Sequence, residues 1–349
     1  MERNHKGQFA ASRDLASEYK EFFTDYSGWV TASVDKQTTV DRLKAGVKAW
    51  LYWCQENDVS PLNADEDSVN AYIRWMIREE FANTTITRRF ASVSKYYHFV
   101  ATDPRIDADI ENPTADIKLR RDHDIKNTSE YYKILDREGR KDIVAPSFDQ
   151  LKPIFEHVPG EGDFTKIRNE LICRLLWQTA VRSGELSRIR HDNITWEDRD
   201  IELRSAKLNR DDHPDLFYRH IWWEPNLDLL MRQWESKRAD ADPDEESPYL
   251  FVGEHGSQLE PSTISRIVKK AAHNADIQEP LVRDTDGSVQ QWLYTAHRLR
   301  HSRITYLANE TDLDLNFIRM MAGHAKLETT ITYVDPDWDE ARTSYFDVV

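Results

Sequence analysis

Over most of this chain the apolar residues are spaced for helices. From Gln37 they recur at steps of three and four (Val40, Leu43, Val47, Leu51 and Cys54), which gathers them on one helical face. After a loop over 58–67 with Pro61 and Asn63, Val69, Tyr72, Ile73, Met76 and Ile77 repeat the pattern. Ile86, Phe90, Val93 and Tyr97 do so again over 84–100. The stretch 103–115 carries Pro104 and Pro113 and breaks the period. The period returns at Leu171, Ile172, Leu175 and Leu176, and a further helix is expected over 182–190. Alternation with period two is brief. Ile194–Trp196 and Ile201–Leu203, joined by a polar turn, read as a hairpin, and Leu216–Trp223 reads as a third strand. Helices are expected again over 226–234, 262–272, 296–307, 315–322 and 327–333. The fold class is therefore mainly α with a small β-sheet.

The 349 residues suffice for two domains. The expected organisation is a polar N-terminal extension over 1–30, with a short helix around Leu15–Phe23, and a small helical domain over 31–115. A charged linker follows over 116–145, then a second domain over 146–335 and a tail over 336–349 with Trp338, Tyr345 and Phe346 among acids. There is no internal repeat and no low-complexity tract.

Composition excludes several classes. No apolar run approaches the roughly 18–20 residues of a membrane span, and the N-terminus lacks the apolar core of a secretory signal. Two distant cysteines, Cys54 and Cys173, cannot form a disulfide framework or a cysteine-based zinc site, and they suit a reducing cytoplasm. Formal net charge is −15, and lysine is the deficient cation, 17 against 30 arginines. That balance resembles proteins of salt-accumulating halophiles, whose acidic surfaces keep them soluble. Such acidity weighs against a nucleic-acid partner at long range.

The motifs point the other way. GxxxxGK[ST], GxGxxG after a strand, HExxH and GxSxG are all missing, which argues against P-loop ATPases, Rossmann oxidoreductases, zincins and α/β-hydrolases. What stands out is a set of cations in the second domain. Arg182 lies in Thr179-Ala180-Val181-Arg182-Ser183-Gly184-Glu185-Leu186, between two apolar helices. Lys207 follows a strand. His297-Arg298-Leu299-Arg300-His301 opens a helix, Ala322-Gly323-His324 closes one, and Tyr333 comes nine residues after His324.

This ordered set resembles the tyrosine recombinase, or phage integrase, family, including its Xer-type members. That family carries an arginine in a TGxRxxEL context, a hairpin lysine, HxxR, Gly-His and then a tyrosine. Any one element is weak; five in order across about 150 residues are specific. The resemblance covers residues 146–335 strongly and 30–115 more loosely, with Asn112-Pro113 where the helical domain ends. It implies a helical, SAM-like core-binding domain followed by an α+β catalytic domain. Departures are Ala180 for the usual glycine, Ser183-Gly184 for a bulkier pair, Ala322 for leucine, and a longer, more acidic segment after Lys207.

The resemblance also implies roles. Arg182 and Arg300 would clamp the scissile phosphate, since each guanidinium is a rigid, permanently charged fork of donors. His324 would donate a further hydrogen bond, and His297 would bind phosphate or assist proton transfer. Lys207 would protonate the departing 5′ oxygen, and Tyr333 would be the nucleophile. Glu185 would orient a catalytic histidine from behind. Neither cofactor nor metal is implied. Read alone, Arg182 is a surface arginine at a helix start and Lys207 an ordinary hairpin lysine. Arg298 and Arg303 read as phosphate contacts or solvated charges, and His301 as structural. Of the competing tyrosines, Tyr306 falls on the apolar face of its helix and reads as core, whereas Tyr345 lacks the Gly-His spacing.

Lys44, Lys48, Arg88, Arg89 and Lys95 on the N-terminal helices, and Arg120 and Arg121 in the linker, are candidate DNA contacts; each reads equally as a solvated charge. The expected partner is double-stranded DNA, bound by a homotetramer across two sites. The free chain would be a monomer or weak oligomer, cytoplasmic and nucleoid-associated, with no membrane contact. A type IB topoisomerase and an inactive DNA-binding regulator are the alternatives.

Overall fold

The computed structural model describes residues 14–106, 111–125, 145–205, 208, 210–241, 247–283 and 289–334. The chain divides into two compact units, 1–134 and 135–349.

The first unit is helical: α1 (Ser17–Ser33), α2 (Gln37–Glu56), α3 (Glu66–Arg78), α4 (Asn83–Thr102) and the short α5 (Leu119–His123). The stripe expected on α2 is buried throughout, and it meets Val69, Tyr72, Ile73 and Met76 of α3 and Ile86, Val93 and Tyr97 of α4. Ile77 falls off the buried face of α3 and is exposed. Aromatic rings dominate the core. Trp50 stacks on Trp53 at 5.3 Å and meets Tyr72 edge-on at 5.1 Å, geometries that suit the ring quadrupoles. Helices α2 and α4 approach closely at Gly46, where a Cβ would lie 2.3 Å from Ser92 Oγ.

Residues expected as an extension belong to this core. Helix α1 runs well past Phe23, because Tyr26 and Val30 bury their side chains against the other helices. Ile117 and Ile125, from the segment expected as a linker, are buried in the same cluster. The rest of that segment, 126–144, lies outside the described residues.

The second unit opens with α6 (Phe148–Glu156), which the periodicity alone does not reveal. Its start is a capping box, with Ser147 and Gln150 exchanging side-chain and backbone hydrogen bonds. Helix α7 (Asp163–Thr179) buries Leu171, Ile172, Leu175 and Leu176. It ends at Ala180, whose φ of 51° puts a non-glycine residue in the left-handed region. The helix expected over 182–190 is only α8 (Ser183–Leu186). The chain leaves it because the Ile189 carbonyl accepts from Leu250 N–H at 2.8 Å and Arg190 bridges to Tyr249.

A three-stranded antiparallel sheet follows in the order β1 (Ile194–Thr195), β2 (Asp200–Arg204), β3 (Tyr218–Trp222). Leu203 pairs with Arg219 and Ile201 with Ile221, and all four side chains face inward. The first residues of the expected third strand form a helical turn instead, α9 (Pro214–Phe217), started by Pro214 in its first turn. Then come α10 (Asp228–Ala241), α11 (Pro261–Asn274), and an unexpected two-stranded sheet of β4 (Pro280–Arg283) and β5 (Val289–Trp292). The unit closes with α12 (Ala296–Asn309), α13 (Leu315–Ala322) and α14 (Leu327–Ile331). Cys54 and Cys173 are both buried free thiols. No described helix is long and apolar enough to cross a membrane.

Candidate functional site

Four turns of the second unit converge. The first is the end of α7. The left-handed Ala180 reverses the chain, so Arg182 sits at the N-terminus of α8. Its backbone N–H donates to Glu185 Oε2 at 2.9 Å, and its guanidinium donates to Glu185 Oε1 at 3.2 Å. The second is α12, whose Thr295 cap accepts from Arg298 N–H and whose Arg300 points inward. Arg300 is 1 % exposed. Its Nη1 donates to the Ala180 carbonyl, and its Nη2 donates to the Ala322 carbonyl at 2.7 Å. The same Nη2 lies 2.9 Å from His324 Nε2.

The third turn is the left-handed Gly323 (φ 63°) that ends α13 and presents His324. Arg300 can only donate, so His324 Nε2 must accept, and the ring proton belongs on Nδ1, 3.0 Å from Thr330 Oγ1. His324 is accordingly neutral. Burial and the charges of Arg300, Arg182 and Arg219 push its pKa down to about 3. The fourth turn follows α14, where Tyr333 N–H donates to the Thr330 carbonyl and the Tyr333 carbonyl accepts from Asn309. The Tyr333 ring lies 5.9 Å from that of His324 at 18°, and 5.1 Å from that of His301. Burial raises its phenol above the ordinary value, while Arg300, Arg182 and Arg298 pull the other way. Burial and the like charge of Arg182 lower Arg300 to about 9, which leaves it charged at neutral pH.

Thus Arg182, Glu185, Arg300, His324 and Tyr333 come together. His297 is exposed at the start of α12 and reaches the cluster through His301, their Nε2 atoms 2.9 Å apart. Lys207 lies outside the described residues, as do the tail and Tyr345.

Several expectations change. The Glu185 carboxylate, expected behind a histidine, takes the two guanidiniums of Arg182 and Arg219. Arg298 and Arg303 are buried rather than solvated, and Arg303 pairs with Glu224 at 2.7 Å and covers the Trp177 ring. Tyr306 is not core: it is 41 % exposed on the Trp177 side of α12. The residue that sequence reasoning missed is Arg219. Its signal was present, since it occupies the inward parity of β3 with Phe217 and Ile221 on either side.

Glu185 gives the site a pH dependence. Burial pushes its carboxyl up, but Arg219 and then Arg182 outweigh this and hold it at about 2, against an ordinary value of 4.5. A depressed carboxyl stabilises the fold above its unfolded pKa, and that contribution is lost as pH falls through the folded pKa. Stability of the second unit should therefore drop between about pH 4.5 and about pH 2. Urea midpoints across that window should fall steeply in the wild type and less steeply in Glu185→Gln.

In the first unit, Lys44 and Lys48 lie on α2 and Arg88, Arg89 and Lys95 on α4. Lys48 lies over Tyr52 at 5.7 Å, Lys95 over Trp29 at 5.0 Å and Arg89 over Phe81 at 4.4 Å. Ring contacts of this kind orient a cation without neutralising it. Arg121 is different, because Asp122 takes its guanidinium through two hydrogen bonds. Arg120 is exposed on α5.

The family model described as the Phage integrase family matches residues 147–340, and that of the phage integrase N-terminal SAM-like domain matches 33–103. Tyrosine recombinase XerA of Pyrococcus furiosus is 29% identical over 188 residues, 53% of this chain and 54% of the relative, so the match spans about half that relative's length. Tyrosine recombinase XerC of Chlamydia caviae is 22% identical over 268 residues, 77% of this chain and 72% of its own. The fold is that of the XerH site-specific recombinase bound to palindromic difH substrate in a post-cleavage complex. The TM-score is 0.64 at 16% identity, covering 94% of each chain.

Proposed function

The chain belongs to the phage integrase family, and from that premise we propose that it cuts and rejoins double-stranded DNA at specific sites through a phosphotyrosine on Tyr333. The observation that carries the reading is the convergence of Arg182, Arg300 and His324 beside the Tyr333 ring. Attack by an oxygen nucleophile on a phosphodiester gathers charge on the non-bridging oxygens, and rigid guanidinium forks stabilise it. Tyr333 supplies the nucleophile and becomes esterified to the 3′ phosphate, while the 5′ oxygen leaves as a hydroxyl. The phenol is protonated at neutral pH, so its proton must pass to a base, and His297 takes this role through the His301 contact. Lys207 protonates the leaving oxygen. The ester conserves the bond energy, so rejoining is the same step reversed and needs no ATP.

Arg182 and Arg300 hold the phosphate, and His324, whose Nε2 accepts from Arg300, fixes the Arg300 fork. Lys44, Lys48, Arg88, Arg89 and Lys95, with Arg120 and Arg121, contact the duplex. The relatives named as tyrosine recombinases, and the XerH structure with its difH substrate, support a DNA site as the partner. Two strands exchanged between two sites call for a homotetramer, assembled on DNA from a monomer or weak oligomer. An acidic chain of charge −15 suits a salty cytoplasm. There the Debye length falls to about 3 Å, and local arginine forks outweigh the repulsion of the whole surface.

The test is a trap. The protein is mixed with genomic fragments in high KCl, stopped with SDS, and the attached DNA is sequenced. Adducts at a few loci flanked by inverted repeats are expected, and none from Tyr333→Phe. Adducts scattered without preference would replace site-specific recombination with a DNA-relaxing activity. A wild type that forms none would refute cleavage altogether.

A further inference from the structure

We propose that Arg219 is a positioning residue that keeps Arg182 available to the scissile phosphate by engaging Glu185. The proposal rests on the phosphodiester chemistry assigned above. Arg219 sits on β3 with its side chain 3 % exposed, and the Glu185 side chain is wholly buried. The guanidinium grips the carboxylate with both ends, Nη1 to Oε1 at 3.1 Å and Nη2 to Oε2 at 2.9 Å. Its Nε donates to the Met321 carbonyl at 3.0 Å. It also lies against Gly323, where a Cβ would come within 2.9 Å of Cζ. One buried side chain thereby ties β3, α8 and the turn that presents His324.

The charge count explains why such a tie is needed. Glu185 alone beside Arg182 makes a neutral pair, and an incoming phosphate would have to compete with a carboxylate already in place. Arg219 brings a second guanidinium to that carboxylate, so that with Arg300 the site holds three guanidiniums against one carboxylate, a net charge of +2. The bidentate fork takes the stronger share of Glu185, and the Arg182 guanidinium donates to it at the longer distance of 3.2 Å. Arg182 is the more exposed of the two arginines, 21 % against 3 %. Arg182 therefore meets the phosphate, and Arg219 acts through Glu185.

The experiment uses the full chain in three forms: Arg219→Met, Arg219→Lys, and the double variant Arg219→Met/Glu185→Gln. Each is read by orthovanadate affinity and by single-turnover cleavage of a nicked DNA site, well below its melting temperature. Arg219→Met should lose about tenfold or more in vanadate affinity and in cleavage rate, since one unit charge beside an oxyanion is worth at least a factor of ten. Arg219→Lys should fall between it and the wild type. The double variant should recover most of the vanadate affinity, because the carboxylate that would neutralise Arg182 is gone. Variants within twofold of wild type in both readouts, or a double variant no better than Arg219→Met, would overturn the proposal. A wild type that binds vanadate but forms no DNA adduct would overturn DNA cleavage and leave the Arg219 inference standing.

Discussion

Replacing Arg300 with lysine should slow DNA cleavage by about a thousandfold, the scale set by deleting a preorganised donor from an oxyanion site. The guanidinium of Arg300 serves three acceptors at once: the carbonyls of Ala180 and Ala322, and His324 Nε2. A lysine ammonium is a point charge on a flexible stem and cannot reproduce that fork. At least one buried carbonyl loses its donor, at a cost of about 1–3 kcal/mol, and His324 loses the contact that fixes its tautomer. Melting temperature should therefore fall along with the rate. DNA affinity carried by the helices of the first unit should change little. Rapid-quench measurement at saturating DNA checks the rate. A loss smaller than tenfold would mean that Arg300 braces the fold rather than the phosphate.

The second large effect is expected far from the chemistry. Gly46→Ala should destabilise the helical unit by about 2 kcal/mol, within the usual range for overpacking a core. Alanine in a helix interior normally gains about 1 kcal/mol over glycine, so the sign of the effect is diagnostic. The new Cβ would lie 2.3 Å from Ser92 Oγ and 2.4 Å from Ser92 Cβ. No rotamer of Ser92 moves its Cβ, so α2 and α4 must part. Ser92→Gly in the same chain should recover most of the loss, and a double-mutant cycle in urea measures the coupling. DNA affinity should fall in parallel, because Lys44 and Lys48 ride on α2 and Arg88, Arg89 and Lys95 on α4, the two helices that must part. A Gly46→Ala protein that is more stable than wild type would refute the close approach.

How much of this was legible in the sequence follows from where each signal resides. Helix α2 carries its instruction locally, as five apolar residues on one face, and all five are buried. Gly323 and His324 are legible in the same way, since a glycine after an apolar run marks a left-handed helix end. Helix α8 is different. It stops after four residues because its continuation bonds to Tyr249 and Leu250, some sixty residues on, and nothing local announces this. The sheet of β4 and β5 has register shifts, so its alternation is blurred.

Helix α12 misleads for a related reason. Its inward face carries Arg298, Arg300, Ser302 and Arg303. A helix that buries arginines among Leu299, Ile304 and Leu307 blurs its apolar stripe, so Arg298 and Arg303 read as surface and Tyr306 as core. The candidate site was found through order and spacing. The partnership of Glu185 with Arg219 was not, because it joins residues of two separate elements through an ion pair.

The grip of Arg300 on the Ala180 and Ala322 carbonyls has a consequence for the cell that carries this protein. Those carbonyls belong to turns far apart along the chain, and a single side chain holds both. The clamp proposed for the phosphate therefore exists only when both turns have closed on Arg300. A molecule still emerging from the ribosome, or one that has lost a helix to heat, keeps every residue of the motif and none of the geometry. The arrangement proposed to cut DNA is in this way withheld until folding is complete.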